Sequence, residues 1–213
     1  EGEGGIVLQP NNPVILSRAA AFHPRAAVPV DHDRAAILAE IGRRPAREHG
    51  GIHPTQLVRQ PLDEVKAVDL CVILAGPVAG RTLAEFGARV VKVDDPVRGA
   101  NSFHDDVNRG KETVFLNLRE ADDLAQFWAL VEEADVVAQN FRLNVLDKYG
   151  ITGAEIRRRN PRAIWVATNA YGDRGPWAGL PGYEGSVQAA TGLQSRYTSA
   201  TAPGSWPYAV HDY

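Results

Sequence analysis

From Pro61 onward, short apolar runs and amphipathic stretches take turns along the chain, and this alternation constrains the fold more than any other feature of the sequence. Val68 to Leu74 (VDLCVIL) is nearly continuous in apolar residues, the pattern of a strand covered on both faces of a parallel sheet. Ala75-Gly76-Pro77 turns the chain, and Val78 to Phe86 reads as a helix with Pro77 in its first turn and Gly87 at its end. Arg89 to Val93 (RVVKV) is a second strand and Val114 to Leu118 a third. The clearest helix runs from Glu120 to Ala134, where Leu124, Phe127, Trp128 and Val131 recur at i, i+3, i+4 and i+7 and so put one apolar stripe against a sheet. Asp135 to Ala138 returns as a strand, Ala154 to Arg159 is a short helix, and Ala163 to Ala167 (AIWVA) is a further strand. Strand and helix in such regular exchange predict βαβ units and an open parallel sheet.

Before Pro61 the pattern differs. Ile6 to Leu8 and Pro13 to Leu16 read as two short strands around a Pro- and Asn-rich turn, and Asp33 is placed to cap a helix from Arg34 to Ile41 that Gly42 ends. The stretch Arg43 to Pro61 has Pro, Gly and charge without any period. Residues 1–42, 43–64 and 65–213 are therefore expected to be a first segment, a linker and a domain.

Composition narrows the function classes. With 44% hydrophobic and 23% charged residues, the chain is rich enough in apolar side chains for a core, which excludes a disordered or collagen-like protein. A near-neutral balance, net charge −3, argues against a nucleic-acid partner, which would need Lys and Arg gathered on one face. No apolar run approaches the roughly 18 residues of a membrane span, and no charged start precedes an apolar segment, so no membrane role and a cytoplasmic location are expected. Cys71 stands alone, leaving neither an intramolecular disulfide nor a Cys-based metal cluster. Met is absent altogether, which predicts a processed chain or an excerpt of a longer one. Lys occurs only at 66, 92, 111 and 148, every other Lys or Arg position being Arg, a skew of composition with no functional weight.

In open α/β sheets, ligands sit beyond the carboxyl ends of the strands. The turn after Leu74 reads A-G-P-V-A-G-R, which matches neither G-x-G-x-x-G nor G-x-x-x-x-G-K-[ST]. Asp94 and Asp95 do follow the second strand, where a ribose-binding acid of a dinucleotide site would lie. Gly76 and Pro77 serve equally well as a plain tight turn, so the residues alone leave the ligand open.

Five ordered blocks carry a stronger signal: VDLCVILAGPVAGRTLAEFGARVVKVDDP at 68–96, NRGKETVFLNL at 108–118, ADVVAQNFRLNVLDKYGI at 134–151, NPRAIWVATNAYGDRGP at 160–176 and PGYEGSVQAATGL at 181–193. In these the chain resembles the family III CoA-transferases, the group of formyl-CoA transferase, carnitine CoA-transferase and the α-methylacyl-CoA racemases. The resemblance implies the family's large domain, a Rossmann-like open, mostly parallel α/β sheet with helices on both faces, and the family's small second domain is expected to be absent. Coenzyme A is implied as a substrate, with no metal. The implied CoA-binding positions are Val72, Ile73, Leu74 and Ala75 at the end of the first strand, Leu116, the pair Asn140 and Phe141 after the fourth strand, Lys148 and Tyr183. Such a set is physically sensible, because backbone N–H groups at a helix start receive phosphates and a lysine can pair with one. The plain alternative makes Asn140 a turn residue and Phe141 a core residue.

By the same resemblance the catalytic group is Asp212, in WPYAVHDY. A carboxylate is ionised at neutral pH and becomes an activated acyl group once attacked, which suits a mixed aspartyl–acyl anhydride followed by an aspartyl-CoA thioester. Racemase relatives need a His in the block that reads Gly182-Tyr183-Glu184 here, and Tyr183 removes one of the two bases that two-sided proton transfer requires. A non-catalytic CoA-binding piece is the other alternative. The segment GGIVLQPNNPVILSR followed by DHDRAAILAEIG resembles the family's C-terminal end, which points to a junction between two fused units. Expected partners are acyl-CoA and carboxylic acids, with an interlocked homodimer or an intramolecular pseudo-dimer.

Overall fold

A computed structural model describes residues 34–41, 60–99, 103–197, 199, 204, 206 and 207. The chain divides into two units, Glu1–Gln56 and Leu57–Tyr213. Of the first unit the described part is helix α1, Arg34–Ile41, with the bounds read from the sequence. The expected strands at 6–8 and 13–16 and most of the linker lie outside the described residues.

The second unit follows the alternation. Strand β1 (Lys66–Asp69) leads to helix α2 (Ala75–Glu85), β2 (Arg89–Asp94), the short α3 (His104–Val107), β3 (Glu112–Phe115), α4 (Ala121–Glu133) and β4 (Val136–Gln139). A 3₁₀ turn at Asp147–Tyr149, α5 (Gly153–Arg159), β5 (Ile164–Ala167), α6 (Glu184–Ala190) and α7 (Leu193–Arg196) complete the order. All pairings are parallel, in the order β3-β2-β1-β4-β5, with Val68 opposite both Val91 and Val137. The direction of winding therefore reverses between β1 and β4, and a crevice opens beyond the carboxyl ends of the strands at such a switch.

Helices cover both faces, and alternate residues of each strand serve opposite sides. Val68, Val93 and Val137 face Phe127, Val131 and Ile156 of α4 and α5, all buried. Ala67 and Val90 face Leu83 and Ala84 of α2. The stripe predicted on α4 is the one that packs: Phe127 and Val131 are fully buried, and each such side chain contributes roughly 2–3 kcal/mol. Asn160 ends α4 by donating Nδ2 to the carbonyls of Val131 and Ala134 (2.9 and 2.8 Å), groups that a helix terminus otherwise leaves unpaired. Thr152 starts α5, its hydroxyl oxygen accepting from Glu155 N–H at 3.1 Å. Gly87, at φ 102°, ends α2 in a conformation that side-chain-bearing residues avoid.

Several bounds are corrected. The run Val68–Leu74 is a strand only to Asp69; beyond it the chain passes into a turn in which Ile73 adopts φ 67°. The apolar residues beyond Asp69 are buried for another reason: Leu70 and Cys71 underlie a turn. Helix α2 starts at Ala75 rather than Val78, which leaves Pro77 in its first turn, where its missing N–H costs nothing. Strand β3 starts two residues and ends three residues earlier than expected, at Glu112–Phe115, so Leu116 and Leu118 lie in the loop after it.

Candidate functional site

The turn between β1 and α2 is held from two sides. On one, Asn140 makes a two-point pair with Val72: the Val72 N–H donates to Oδ1 at 2.7 Å and Nδ2 donates to the Val72 carbonyl at 2.8 Å. The side chain thus extends the β1–β4 pairing, which Leu70 N–H to Ala138 O had continued at 2.9 Å. On the other side, Asp69 accepts from Cys71 N–H at 2.8 Å and from Lys111 Nζ at 2.7 Å. Lys111 also donates to the Pro77 carbonyl at 2.8 Å, which ties the start of α2 into the same network. These bonds surround Ile73, whose left-handed backbone is costly for a β-branched residue, roughly 1–3 kcal/mol, and persists only where neighbours enforce it.

Beyond this turn lies a cavity of about 330 Å³, formed by the ends of the first four strands. Its walls include Val72 and Ile73 from the turn, Leu116 after β3 and Phe141 after β4. Its charged groups are Asp94, Asp95, Arg98, Arg119 and Lys148. Asp94 takes the buried ammonium of Lys92 at 2.7 Å, and Asp95 accepts from Arg119 at 3.3 Å. Arg98 and Lys148 have no carboxylate partner among the described residues, and Lys148 lies over the Tyr149 ring at 4.8 Å. An apolar floor with cations at its edge suits an elongated, partly apolar anion.

Cys71 is not a nucleophile in this arrangement. Burial pushes its thiol well up, the Asp69 carboxylate adds to the shift, and a methyl group placed on Gly76 would meet Cys71 Sγ at 2.7 Å.

Residues 62–213 match the family described as CoA-transferase family III. The chain belongs to that family. Among similar curated proteins, the acetyl-CoA:oxalate CoA-transferase of Acetobacter aceti is 36% identical over 145 residues, 62% of this chain and 37% of its own length. The succinate–glutarate CoA-transferase of Agrobacterium fabrum is 32% identical over 156 residues, 64% of this chain and 39% of its own. A crystal structure of a CAIB/BAIF family protein from Brucella suis superposes with a TM-score of 0.66 at 33% identity, covering 72% of this chain and 45% of that one. The chain thus spans about two fifths of the length of the curated relatives it matches.

Set against the positions that the sequence singled out, the family III chain brings together Val72, Ile73, Leu116, Phe141 and Lys148 around one cavity. Leu74 and Ala75 are not among the lining residues: Leu74 caps α2 and its carbonyl accepts from Val78 N–H at 3.0 Å. Asn140 acts through Val72, both ends of its amide being engaged there. Tyr183 lies apart from the cavity, 68% exposed at the start of α6, where its N–H donates to the Ser186 hydroxyl at 2.8 Å. Asp212 lies outside the described residues. Sequence reasoning missed Arg98, Arg119 and the Asp69–Lys111 pair. A usable signal existed for the last: in a chain that uses Lys only four times, Lys92 and Lys111 are buried in ion pairs and Lys148 stands at the cavity. A compact ammonium fits such spaces where a guanidinium does not.

Proposed function

We propose that the cavity holds coenzyme A and that the unit to which this chain contributes transfers CoA from an acyl-CoA to a carboxylic acid. The observation that carries this reading is the convergence of Val72, Ile73, Leu116, Phe141 and Lys148, drawn from three separate sequence blocks, on one apolar cavity with cations at its edge. The names of the relatives, an acetyl-CoA:oxalate and a succinate–glutarate CoA-transferase, support the same substrate class. Lys148 and Arg98 are the groups offered to phosphates.

In the proposed chemistry the Asp212 carboxylate attacks the thioester carbonyl, the C–S bond breaks and CoA leaves as a thiolate. The thiolate then attacks the Asp212 carbonyl of the mixed anhydride, releasing the donor acid and leaving an aspartyl-CoA thioester. The acceptor carboxylate attacks that thioester, and the thiolate released collects the acceptor acyl group, regenerating Asp212. Tyr183 in place of a histidine favours this over racemisation, which needs a second base. Residues 1–42 are assigned to the end of a neighbouring family III unit, and 65–213 to the CoA-binding domain.

Mixing the chain with acyl-CoA, trapping with hydroxylamine or borohydride and locating the product by mass spectrometry tests the chemistry. The expected result is a modified Asp212. Absence of any adduct with every acyl-CoA tried, while CoA still binds, would reduce the chain to a CoA-binding unit without turnover.

A further inference from the structure

Asp95 places a carboxylate in a cavity whose other charged groups are Asp94, already paired with the buried Lys92, and the cations Arg98, Arg119 and Lys148. It follows β2 and shapes the loop there: its Oδ1 accepts from Val97 N–H at 2.9 Å, and its carbonyl accepts from the N–H groups of Arg98 and Gly99 at 3.0 and 3.1 Å. Its Oδ2 reaches across to the loop after β3 and accepts from Arg119 Nη2 at 3.3 Å. That bond is long and partly exposed, the side chains being 26% and 52% accessible, so solvent weakens it. Arg119 does not depend on it for position, since Asn117 Oδ1 also accepts from its Nη1 and backbone N–H, at 3.2 and 3.3 Å.

We propose that Asp95 is a specificity-determining residue of the cavity, a built-in carboxylate that competes with ligand phosphates for Arg119 and so limits affinity for the most highly charged ligands. The inference rests on the reading that the cavity takes CoA. A polyanion entering here meets Arg98 and Lys148, which have no carboxylate partner among the described residues, but must share Arg119 with Asp95, and it meets the Asp95 charge at close range. Asp95 therefore acts on phosphates and not on the pantetheine arm, which carries no charge. The competing role for an acid after β2, accepting a ribose hydroxyl as in dinucleotide sites, has the opposite sign: there the carboxylate strengthens binding.

Asp95→Asn separates the two. The amide oxygen still accepts from Val97 N–H, so the loop is kept while the charge goes. Calorimetric titration of both proteins with CoA, 3′-dephospho-CoA and pantetheine, at low and high salt, supplies the readout. CoA is expected to bind the variant about 3- to 10-fold more tightly, dephospho-CoA to gain less, pantetheine to be unchanged, and the gain to shrink with salt. Unchanged or weaker CoA binding by the variant overturns the proposal, as does an equal gain for pantetheine. If the unsubstituted chain binds no CoA at all, the reading of the cavity falls and this inference with it, an outcome distinct from CoA binding that is indifferent to residue 95.

Discussion

Lys111→Met is expected to lower the unfolding free energy by about 3–5 kcal/mol. The Lys111 ammonium is wholly inaccessible and the Asp69 side chain is 2% exposed, so removing the cation strands a carboxylate in the interior. Nothing nearby replaces it. Gly80 packs so closely that an added methyl would meet Asp69 Oδ2 at 2.5 Å, which leaves no space for water on that side. The Pro77 carbonyl and Asn108 Oδ1 lose the same donor. Removing both charges in Asp69→Asn with Lys111→Met should recover much of the loss, because the Asn oxygen keeps the Cys71 N–H bond and no charge remains buried. Urea unfolding measures both, with the midpoint moving and the slope unchanged. A single variant within about 1 kcal/mol of the parent, or a double variant worse than the sum of the singles, would contradict this description of the pair.

Asn140→Ala is expected to act on the ligand more than on the fold. Its amide satisfies both polar groups of Val72, and losing those bonds costs about 1–3 kcal/mol if nothing replaces them. The turn is also freed to relax Ile73 from its left-handed backbone, which moves the cavity wall. The affinity for CoA should fall about 10- to 100-fold, while the unfolding midpoint shifts less than in Lys111→Met. Asn140→Asp is not expected to rescue binding, since its carboxylate sets an oxygen against the Val72 carbonyl in place of a donor. Calorimetric titration of the variants decides the matter, and undiminished CoA affinity in Asn140→Ala would show that the turn does not shape the site.

Five strands and the α4 stripe were legible because periodicity and burial on both faces are local properties of the sequence. The end of β1 was not. An apolar run reads as strand whether its residues sit in a ladder or pack beneath a turn, and Leu70 and Cys71 are buried without being in the sheet. The cavity residues were legible by resemblance, through ordered blocks rather than single motifs, but the work of Asn140 was not: its partner Val72 is 68 positions away and the contact is to backbone, which carries no residue signature. Separations of 42 and 24 positions likewise hid Lys111 from Asp69 and Arg119 from Asp95. The scarcity of Lys was visible in the sequence but carried no assignment there; in the structure Lys92 and Lys111 are buried and Lys148 lines the cavity, while Lys66 is an exposed surface partner of Glu133.

The central claim is that the ends of the first four strands form the coenzyme A site. A crystal structure of the chain grown with CoA tests it most directly. The ligand is expected in the cavity between Ile73 and Phe141, with phosphate oxygens within hydrogen-bond reach of Lys148 or Arg98. CoA bound elsewhere on the chain, with that cavity left unfilled, would contradict it.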